Sequence, residues 1–237
     1  FDINEVIMLN HNEFKINDTC IEAFSLPNIL NGLNKYIHYK NTNDFPQYER
    51  PQAHNYELSD QPLTQETYFN MMQDFLQQDD ILIAEQGTSF FGAYDLALYK
   101  DNTFIGQPLW GSIGYTLPAT LGSLQLTVQS LSTMIRQNLN PVIFVINNDG
   151  YTVERMIHGM KEPYNDIRMW DYKSLPSVFG GDNVLVHDVN TSEELMLTFE
   201  NIKSNSDCMH FVEVKMAVED APAKLSDIAK AFASQNK

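Results

Sequence analysis

Short apolar runs alternate with amphipathic segments along residues 62–237, a pattern typical of strands alternating with helices. The apolar runs predict strands at residues 80–84, 103–110, 141–146, 184–189 and 211–216. The 3.6-residue patterns and the capping residues predict helices at residues 64–76, 90–99, 115–121, 123–138, 152–158, 192–203 and 225–232. This order predicts an α/β fold: a doubly wound, mostly parallel sheet with helices on both faces.

The first 61 residues follow a different pattern. Glu5–Leu9 and Phe14–Ile16 resemble strands, and Pro27–Lys40 resembles a helix. About forty residues of this kind cannot bury a core unaided, so residues 1–41 are interpreted as the tail of another α/β domain. Residues 42–61 contain two prolines and many amides without a sustained period, which is typical of a linker.

One junction breaks the alternation of strands and helices. A helix pattern ends at Leu121 and the next begins at Ser123, with no strand between them. A strand with its loops would take about 10 to 20 residues. The junction at 122/123 is therefore either a deletion or the position of an unrecorded segment, and we favour the unrecorded segment.

The stretch Pro141–Gly159 has the strongest functional pattern. An apolar, β-branched run ends abruptly in the turn Asn147–Gly150, and an amphipathic segment with Glu154 and His158 on one side follows. Open α/β sheets bind ligands at the carboxyl ends of their strands. Taken alone, Asn-Asp-Gly is equally typical of a hairpin turn, but the helix pattern after it argues against a hairpin.

Three polar loops follow three apolar runs, at residues 85–89, 111–114 and 147–150. In a parallel sheet these ends meet at one edge. The groups available there are glycine backbone, the hydroxyls of Thr88 and Ser112, and the amide oxygens of Asn147 and Asn148. Such groups suit a diphosphate and a hard divalent cation.

Charge and cysteine content narrow the class of protein. Fifteen basic residues against 31 acidic ones give a net charge of −16, which would repel a nucleic-acid backbone. Two distant cysteines without a disulfide framework favour a reducing, cytoplasmic setting. No apolar run approaches the 18 residues of a membrane span, so neither a membrane nor a nucleic acid is expected as a partner.

Four ordered motifs carry a specific resemblance: EQGTSFFG, LWGSIGYT, SLQLTVQSLSTMIR and INNDGYTVERMIHG, which begin at Glu85, Leu109, Ser123 and Ile146. Together they resemble the thiamine-diphosphate-dependent 2-oxo acid decarboxylases, in the branch of indolepyruvate, phenylpyruvate and pyruvate decarboxylases. The resemblance covers residues 62–237, which it implies to be a thiamine-diphosphate and magnesium-binding domain. It also implies that residues 1–41 end that family's middle domain.

The resemblance implies a role for each matching residue. Asn148 would coordinate Mg²⁺ through its side chain and Gly150 through its carbonyl, with the diphosphate completing the shell. Thr88 would help to hold the cofactor, the Gly111 carbonyl would accept from its aminopyrimidine, and Ile113 would support its bent conformation.

The remaining implied residues lie beside these. Ser112, Ser123, Tyr151 and Thr152 complete the cofactor-binding set. Val153 would border both cofactor and substrate. Glu154 would be the catalytic carboxylate, since a carboxylic acid near the reacting carbon can manage protonation if burial raises its pKa. Without the resemblance, Glu154 would be interpreted as an exposed helix carboxylate.

The sequence also departs from the family pattern. The family places Gly-Asp-Gly, with a metal-binding aspartate, before Asn-Asn, whereas only Gly122-Ser123 stands at that position here. The family's N-terminal domain, with its activating glutamate and paired histidines, is also absent from this sequence. The resemblance therefore implies that this chain alone is inactive.

The implied reaction is the non-oxidative decarboxylation of a 2-oxo acid to an aldehyde and carbon dioxide through a thiamine-diphosphate enamine. Indolepyruvate, phenylpyruvate, branched-chain oxo acids and pyruvate all remain possible substrates. The alternatives are a non-catalytic cofactor-binding module and a carboligating enzyme of the acetolactate synthase type. The resemblance also implies a homodimer or homotetramer with shared active sites, for which Phe90, Phe91 and Tyr94 are interface candidates.

Overall fold

The structure, a computed structural model, describes residues 7–9, 13–16, 19–22, 26–34, 56–111 and 128–235 of the 237-residue chain. The chain divides into two compact units, Phe1–Tyr48 and Glu49–Lys237. Within the described residues, no helix is long and apolar enough to cross a membrane.

In the first unit, three short strands form an antiparallel sheet in the order β1 (Ile7–Leu9), β2 (Glu13–Ile16) and β3 (Thr19–Glu22). Helix α1 (Leu26–Asn34) follows. The first two strands agree with the sequence pattern where they are described, whereas β3 was not predicted. Its four residues, Thr-Cys-Ile-Glu, are too few to show a period without their neighbour in the sheet. The predicted helical residues 35–40 lie outside the described part.

The second unit begins its regular structure with helix α2 (Gln65–Phe75). Thr64 caps this helix as predicted, because its hydroxyl accepts from the backbone N–H of Thr67 at 3.2 Å. Strand β4 (Ile81–Ile83) then leads into helix α3 (Thr88–Ala93), and β5 (Thr103–Ile105) pairs with β4 in parallel.

The second half of this unit contains the larger parallel sheet, in the order β6-β8-β7. Its strands are β6 (Val142–Asn147), β7 (Leu185–Val189) and β8 (His210–Lys215). The helices around it are α4 (Ser130–Arg136), α5 (Thr152–His158), α6 (Leu175–Val178), α7 (Ser192–Ser204) and α8 (Ala223–Gln235). Two single 3₁₀ turns, Pro163–Asn165 and Tyr172–Ser174, lie in the segment between α5 and α6.

Alternation along the central strand β8 places helices on both faces of the sheet. Phe211 packs with Leu131 and Met134 of α4, whereas Val212 and Val214 pack in a cluster with residues of α2 and α7. Phe211, Val212 and Val214 are all fully buried. A strand covered on both faces needs apolar side chains at successive positions, and the Phe-Val-Glu-Val run of β8 largely supplies them. The predicted α/β class, with parallel strands and helices on both faces, is confirmed.

Some details of the prediction are wrong. The helix predicted at residues 90–99 ends at Ala93, and the strand predicted at residues 103–110 ends at Ile105, whereas the helix predicted at residues 115–121 lies outside the described residues. The pattern also predicts a buried strand at residues 80–84, whereas Ile81 is 64% exposed. Strand β6 is also half-buried along its whole length, although every residue from Val142 to Ile146 is apolar. Both exposures have the same physical cause, because each strand pairs with a described neighbour on one edge only.

Candidate functional site

A cavity of about 1110 Å³ lies between β4 and β6 and extends to the loops at their carboxyl ends. Every predicted site residue that the structure describes lines this cavity. These residues are Thr88, Gly111, Asn148, Gly150, Tyr151, Thr152, Val153 and Glu154. The remaining predicted residues, Ser112, Ile113 and Ser123, lie outside the described part of the chain.

The turn after β6 has a backbone that only particular residues can adopt. Asp149 has φ 54° and Gly150 has φ 142°. A Cβ atom on Gly150 would lie 2.5 Å from Nη2 of Arg155 and 2.7 Å from the carbonyl oxygen of Asn165. Because both the backbone angle and the space exclude a side chain, glycine is required here.

Asn148 is buried in this turn, and its amide has a defined orientation. Its Nδ2 donates to Oγ1 of Thr152 at 2.7 Å, and the Thr152 hydroxyl donates in turn to the carbonyl of Val218 at 2.9 Å. Since the nitrogen end of the amide is engaged, Oδ1 is the end that remains for a cation. Helix α5 begins at Thr152, so this pair also joins the turn to the helix.

Asn147, by contrast, has both ends of its amide in use. Its Nδ2 donates to Oε1 of Glu213 at 2.6 Å, and its Oδ1 accepts from the backbone N–H of Asp149 at 3.3 Å. The sequence pattern offered the amide oxygens of Asn147 and Asn148 equally. The structure separates them, because both ends of the Asn147 amide are hydrogen-bonded, whereas Oδ1 of Asn148 has no donor among the described residues.

Arg155 is a buried residue of this site that the sequence analysis missed. It is 7% exposed, and its guanidinium forms an ion pair with Asp166 at 2.6 Å. It also donates to the carbonyls of Asp149, Met160 and Asn165 at 3.2, 3.3 and 3.4 Å. An arginine beside a glutamate on an amphipathic helix is normally a surface residue. The acceptors of Arg155 lie up to eleven positions away along the chain, and several of them are in an irregular loop. No local sequence signal could therefore have identified it.

The loop after β4 contributes the opposite wall of the cavity. Gly87 has φ 138° and Thr88 is the first residue of α3. Oε1 of Gln86 is buried without a hydrogen-bond partner, and a Cβ atom built on Gly111 would lie 3.9 Å from Nε2 of the same side chain. A buried acceptor without a donor is costly, so Oε1 of Gln86 is an unsatisfied group in this loop.

Glu154 lies on the rim of the cavity and is not enclosed. Its side chain is 47% exposed and its Oε2 lies 3.3 Å from Nε2 of His158, one helical turn later. A role of Glu154 as proton donor requires burial of its carboxylate. The described residues leave it half in solvent, so any burial must come from another part of the protein.

The oxygen atoms in the cavity supply only part of the coordination shell of a hard divalent cation. The side-chain oxygen of Asn148 and the carbonyl of Gly150 are neutral oxygen ligands of the kind that Mg²⁺ accepts. Among the described residues, however, no three His, Cys, Asp or Glu side chains cluster as a metal site. The anionic part of the coordination shell would therefore come from a diphosphate and from residues beyond those described.

Comparison with known proteins identifies this region. Residues 122–214 match the family described as "Thiamine pyrophosphate enzyme, C-terminal TPP binding domain". The chain is 42% identical over 200 residues to a pyruvate decarboxylase of Aspergillus fumigatus, across 75% of this chain and 35% of that protein. It is also 42% identical over 193 residues to an alpha-keto-acid decarboxylase of Mycobacterium tuberculosis, across 74% of this chain and 34% of that protein.

A structural comparison agrees at the level of the fold. The chain superposes on the crystal structure of benzoylformate decarboxylase from Polynucleobacter necessarius with a TM-score of 0.64. The match covers 87% of this chain and 42% of that chain, at 18% sequence identity. The chain thus spans about a third of the length of the curated relatives that it matches.

Proposed function

We propose that this chain, which belongs to the thiamine-diphosphate-dependent 2-oxo acid decarboxylases, forms the diphosphate- and magnesium-binding half of a decarboxylase active site. One observation carries the proposal. Residues from three separated segments, represented by Thr88, Gly111 and Asn148, line one cavity at the carboxyl ends of parallel strands. That position is where open α/β sheets bind ligands.

In this proposal, Asn148 and Gly150 hold the magnesium ion. The hydrogen bond from Asn148 to Thr152 supports the first role because it leaves Oδ1 available to the cation. Thr88 and the carbonyl of Gly111 hold the cofactor, and both residues line the cavity. The cofactor, when bound, supplies the electron sink that makes loss of carbon dioxide from a 2-oxo acid feasible.

The overall reaction consumes one proton: a 2-oxo carboxylate and a proton give an aldehyde and carbon dioxide. We assign delivery of that proton to the carboxyl group of Glu154, which lines the cavity two residues after the start of α5. Its pairing with His158 gives it a neighbour through which a proton can be exchanged with solvent. Val153 lies beside it and is proposed to border the substrate.

The substrate is proposed to be a 2-oxo acid of the indolepyruvate, phenylpyruvate, branched-chain or pyruvate type. The relatives support this class, since they are a pyruvate decarboxylase and an alpha-keto-acid decarboxylase. Measuring aldehyde formation from each of the four candidates, with the full-length protein, distinguishes among them. Acetolactate formed from pyruvate would instead support the carboligating alternative.

The whole protein is proposed to act in the cytoplasm as a homodimer or homotetramer. The exposed side chain of Glu154 supports an active site that a neighbouring subunit completes, because a proton donor works best when it is desolvated. Of the aromatic interface candidates, Phe90 is buried in the core, whereas Tyr94 is 60% exposed. Tyr94 is therefore the better candidate for a subunit contact.

The test of Glu154 separates catalysis from cofactor binding. In the full-length protein, Glu154→Gln is expected to lower turnover by about 10²-fold or more, as for removal of a general acid. The half-saturating concentration of thiamine diphosphate should stay within about threefold, since Glu154 is not assigned to the cofactor. Glu193→Gln, at an exposed carboxylate of α7, serves as the matched control and should change neither quantity. Equal losses of turnover and cofactor affinity in Glu154→Gln would contradict the assignment.

A second candidate function is cofactor binding without turnover. The half-exposed Glu154 favours this function for the chain on its own, because the described residues do not enclose the proposed catalytic carboxylate. Intact-protein mass spectrometry of material from the natural source distinguishes the candidates. A mass near 27.1 kDa would support the binding module, and a mass more than twice as large would support the complete enzyme.

A further inference from the structure

Glu213 is a buried acidic residue of the central strand β8. The residue is 4% exposed, and Phe211, Val212 and Val214 around it are fully buried. Strand β8 has neighbouring strands on both edges. A carboxyl group in such a place costs free energy of desolvation, which an apolar side chain of similar size avoids. Its presence therefore points to a role that an apolar residue cannot fill.

The side chain of Glu213 reaches the turn that follows β6. Residues paired across parallel strands share a face of the sheet, and Glu213 pairs with Val145 of β6. Asn147 lies on the same face two positions further along β6, within reach of a long side chain on β8. Nδ2 of Asn147 donates to Oε1 of Glu213 at 2.6 Å. Glu213 does not line the cavity, so its effect on the site passes through Asn147.

This hydrogen bond fixes the direction of the Asn147 amide. The backbone N–H of Asp149 can only donate, so the end of the amide 3.3 Å from it is Oδ1, and the end beside Glu213 is the nitrogen. The bond from Asp149 to Oδ1 closes a short side-chain turn around Asn148. Asp149 has φ 54°, an uncommon angle for a residue other than glycine. A reversed amide would set donor against donor and lose the bond that holds this turn.

The neighbouring Asn148 is tied to the segment that follows β8. It donates to Thr152, and the hydroxyl of Thr152 donates to the carbonyl of Val218. Strand β8 and the residues just after it thus hold both asparagines of the turn. Glu213 supplies the side-chain contact to the first of them, Asn147.

Two lysines close to Glu213 are engaged elsewhere. Lys173 and Lys215 both form ion pairs with Asp188, which is the residue beside Glu213 on β7. The hydrogen bond to Asp188 first, and the charge of Glu213 among the smaller causes, raise the pKa of Lys173. Since both lysines bind Asp188, the carboxyl group of Glu213 is left for the amide of Asn147.

We propose that Glu213 is a positioning residue of the magnesium site, which holds the turn 147–150 through the amide of Asn147. The inference rests on the proposed function, because it takes Asn148 and Gly150 as the residues that hold the ion. In this role the carboxyl group touches neither the ion nor the substrate. It fixes the amide that closes the turn, and the turn presents Asn148 and Gly150 to the cavity.

The magnesium affinity of the full-length protein gives the first test. Glu213→Met removes the acceptor but keeps a side chain of similar length. It should lower the affinity for Mg²⁺ in the presence of thiamine diphosphate about tenfold, as loss of a supporting contact does. Glu213→Gln keeps an oxygen acceptor and should stay within about threefold of the unchanged protein. Calorimetric titration measures both. Unchanged affinity in Glu213→Met, or equal losses in the two variants, would overturn the proposal.

Thermal unfolding of the metal-free protein separates positioning from a merely structural role. An apolar side chain in place of a buried charged group is often neutral for stability. The unfolding midpoint of Glu213→Met should therefore lie within about 4 °C of that of the unchanged protein, although its magnesium affinity falls. In a folded Glu213→Met protein, a midpoint lowered by more than about 10 °C would indicate a structural role and overturn the proposal.

Asn147 tests the same connection from its other end. Asn147→Ala removes both hydrogen bonds of the amide at a half-buried position, and it should also lower the magnesium affinity about tenfold. Because Glu213 acts through Asn147, the double variant should lose no more affinity than Asn147→Ala alone, and additive losses would overturn the proposal. Asn147→Ala also decides the question if Glu213→Met fails to fold. Unchanged affinity would then overturn the proposal, and the expected loss would support it.

Asp188→Asn is the matched control for a change of charge. It removes an acidic group beside Glu213 on the same face of the sheet, but Asp188 contacts lysines and not the turn. Because its carboxylate is partly exposed, its charge is screened, and the magnesium affinity should stay within about threefold. A loss as large as that of Glu213→Met would overturn the proposal, because any change of charge on this face would then suffice.

The unchanged full-length protein is the reference for the proposed function itself. If it binds no Mg²⁺ in the presence of thiamine diphosphate, the proposed function fails and the role of Glu213 fails with it. If it binds Mg²⁺ and the variants at Glu213 and Asn147 bind equally well, only the role of Glu213 is overturned.

Discussion

The guanidinium of Arg155 donates through Nη2 to the backbone carbonyl of Asp149, 3.2 Å away, and so ties helix α5 to the turn that precedes it. Asp149 lies between Asn148 and Gly150, the two residues assigned to magnesium. Because the same nitrogen also reaches Asp166 and the carbonyl of Asn165, one buried side chain links the turn to the loop that follows α5.

Replacing Arg155 should therefore cost stability. Arg155→Ala removes the guanidinium donor from the carbonyls of Asp149 and Met160, and we expect a loss of about 2 kcal/mol in the free energy of unfolding. The ion pair itself contributes little of this, because the Asp166 side chain is 69% exposed. Arg168→Ala, at an exposed arginine of the same loop, should change stability by less than about 0.5 kcal/mol. Urea denaturation measures both, and equal effects would contradict a structural role for Arg155.

Gly150 should tolerate no side chain. Gly150→Ala combines an unfavourable φ of 142° with a Cβ atom 2.7 Å from the carbonyl of Asn165. We expect Gly150→Ala to lower the free energy of unfolding by about 3 kcal/mol, since backbone strain alone costs about 1 to 3 kcal/mol. Gly180→Ala is the control, because Gly180 has φ 79° but no atom within 4 Å of its Cβ position. Gly180→Ala should lower the free energy of unfolding by only about 1 kcal/mol. Thermal unfolding tests this order, and a larger loss at Gly180 would contradict the close packing around Gly150.

Thr152 should control the affinity for magnesium without touching it. In the full-length protein, Thr152→Val removes the hydroxyl that accepts from Asn148 and so frees the amide to rotate. Loss of such a supporting contact typically lowers metal affinity about 10- to 100-fold. Thr152→Ser keeps the hydroxyl and should bind Mg²⁺ within about threefold of the unchanged protein. Calorimetric titration of Mg²⁺ in the presence of thiamine diphosphate measures the affinities. Unchanged affinity in Thr152→Val would argue against Asn148 as the ligand.

The histidine pair of β7 and β8 should make stability depend on pH. Nε2 of His187 lies 3.0 Å from Nδ1 of His210, and Nε2 of His210 lies 3.0 Å from the carbonyl of Asn205. Because a carbonyl only accepts, Nε2 of His210 donates to Asn205, and Nδ1 of His210 accepts from Nε2 of His187. Burial, with the neighbouring His210, lowers the pKa of His187 below its usual 6.5.

The direction of this effect follows from proton linkage. Below pH 6.5 the unfolded chain binds a proton at His187 that the folded chain does not, so stability falls as the pH falls. We expect the midpoint of thermal unfolding to decrease between pH 7 and pH 5.5, and His187→Gln to reduce that decrease. His158→Gln, at a half-exposed histidine, should leave the decrease intact. An unchanged pH dependence in His187→Gln would contradict the assignment.

Local sequence patterns were sufficient to predict the elements whose capping and first-turn residues lie within a few positions of each other. The cap at Thr64 and helix α7 follow from hydroxyl and acidic residues at the first turn, and both were predicted correctly. Strand β3 and the burial of Arg155 could not be predicted in this way. Their environment depends on partners that are distant in sequence or lie in irregular loops.

The sequence by itself determined the fold class and carried the resemblance to the thiamine-diphosphate enzymes, because apolar periodicity and contiguous motifs are local properties of the chain. Only the tertiary structure decided that Oδ1 of Asn147 accepts a hydrogen bond whereas, among the described residues, Oδ1 of Asn148 has no donor, that Arg155 holds the turn, and that Glu154 stays half exposed. It also decided that residues of β4 and β6 line one cavity. Hydrogen-bond partners and burial arise between segments that meet only on folding, so no local pattern encodes them.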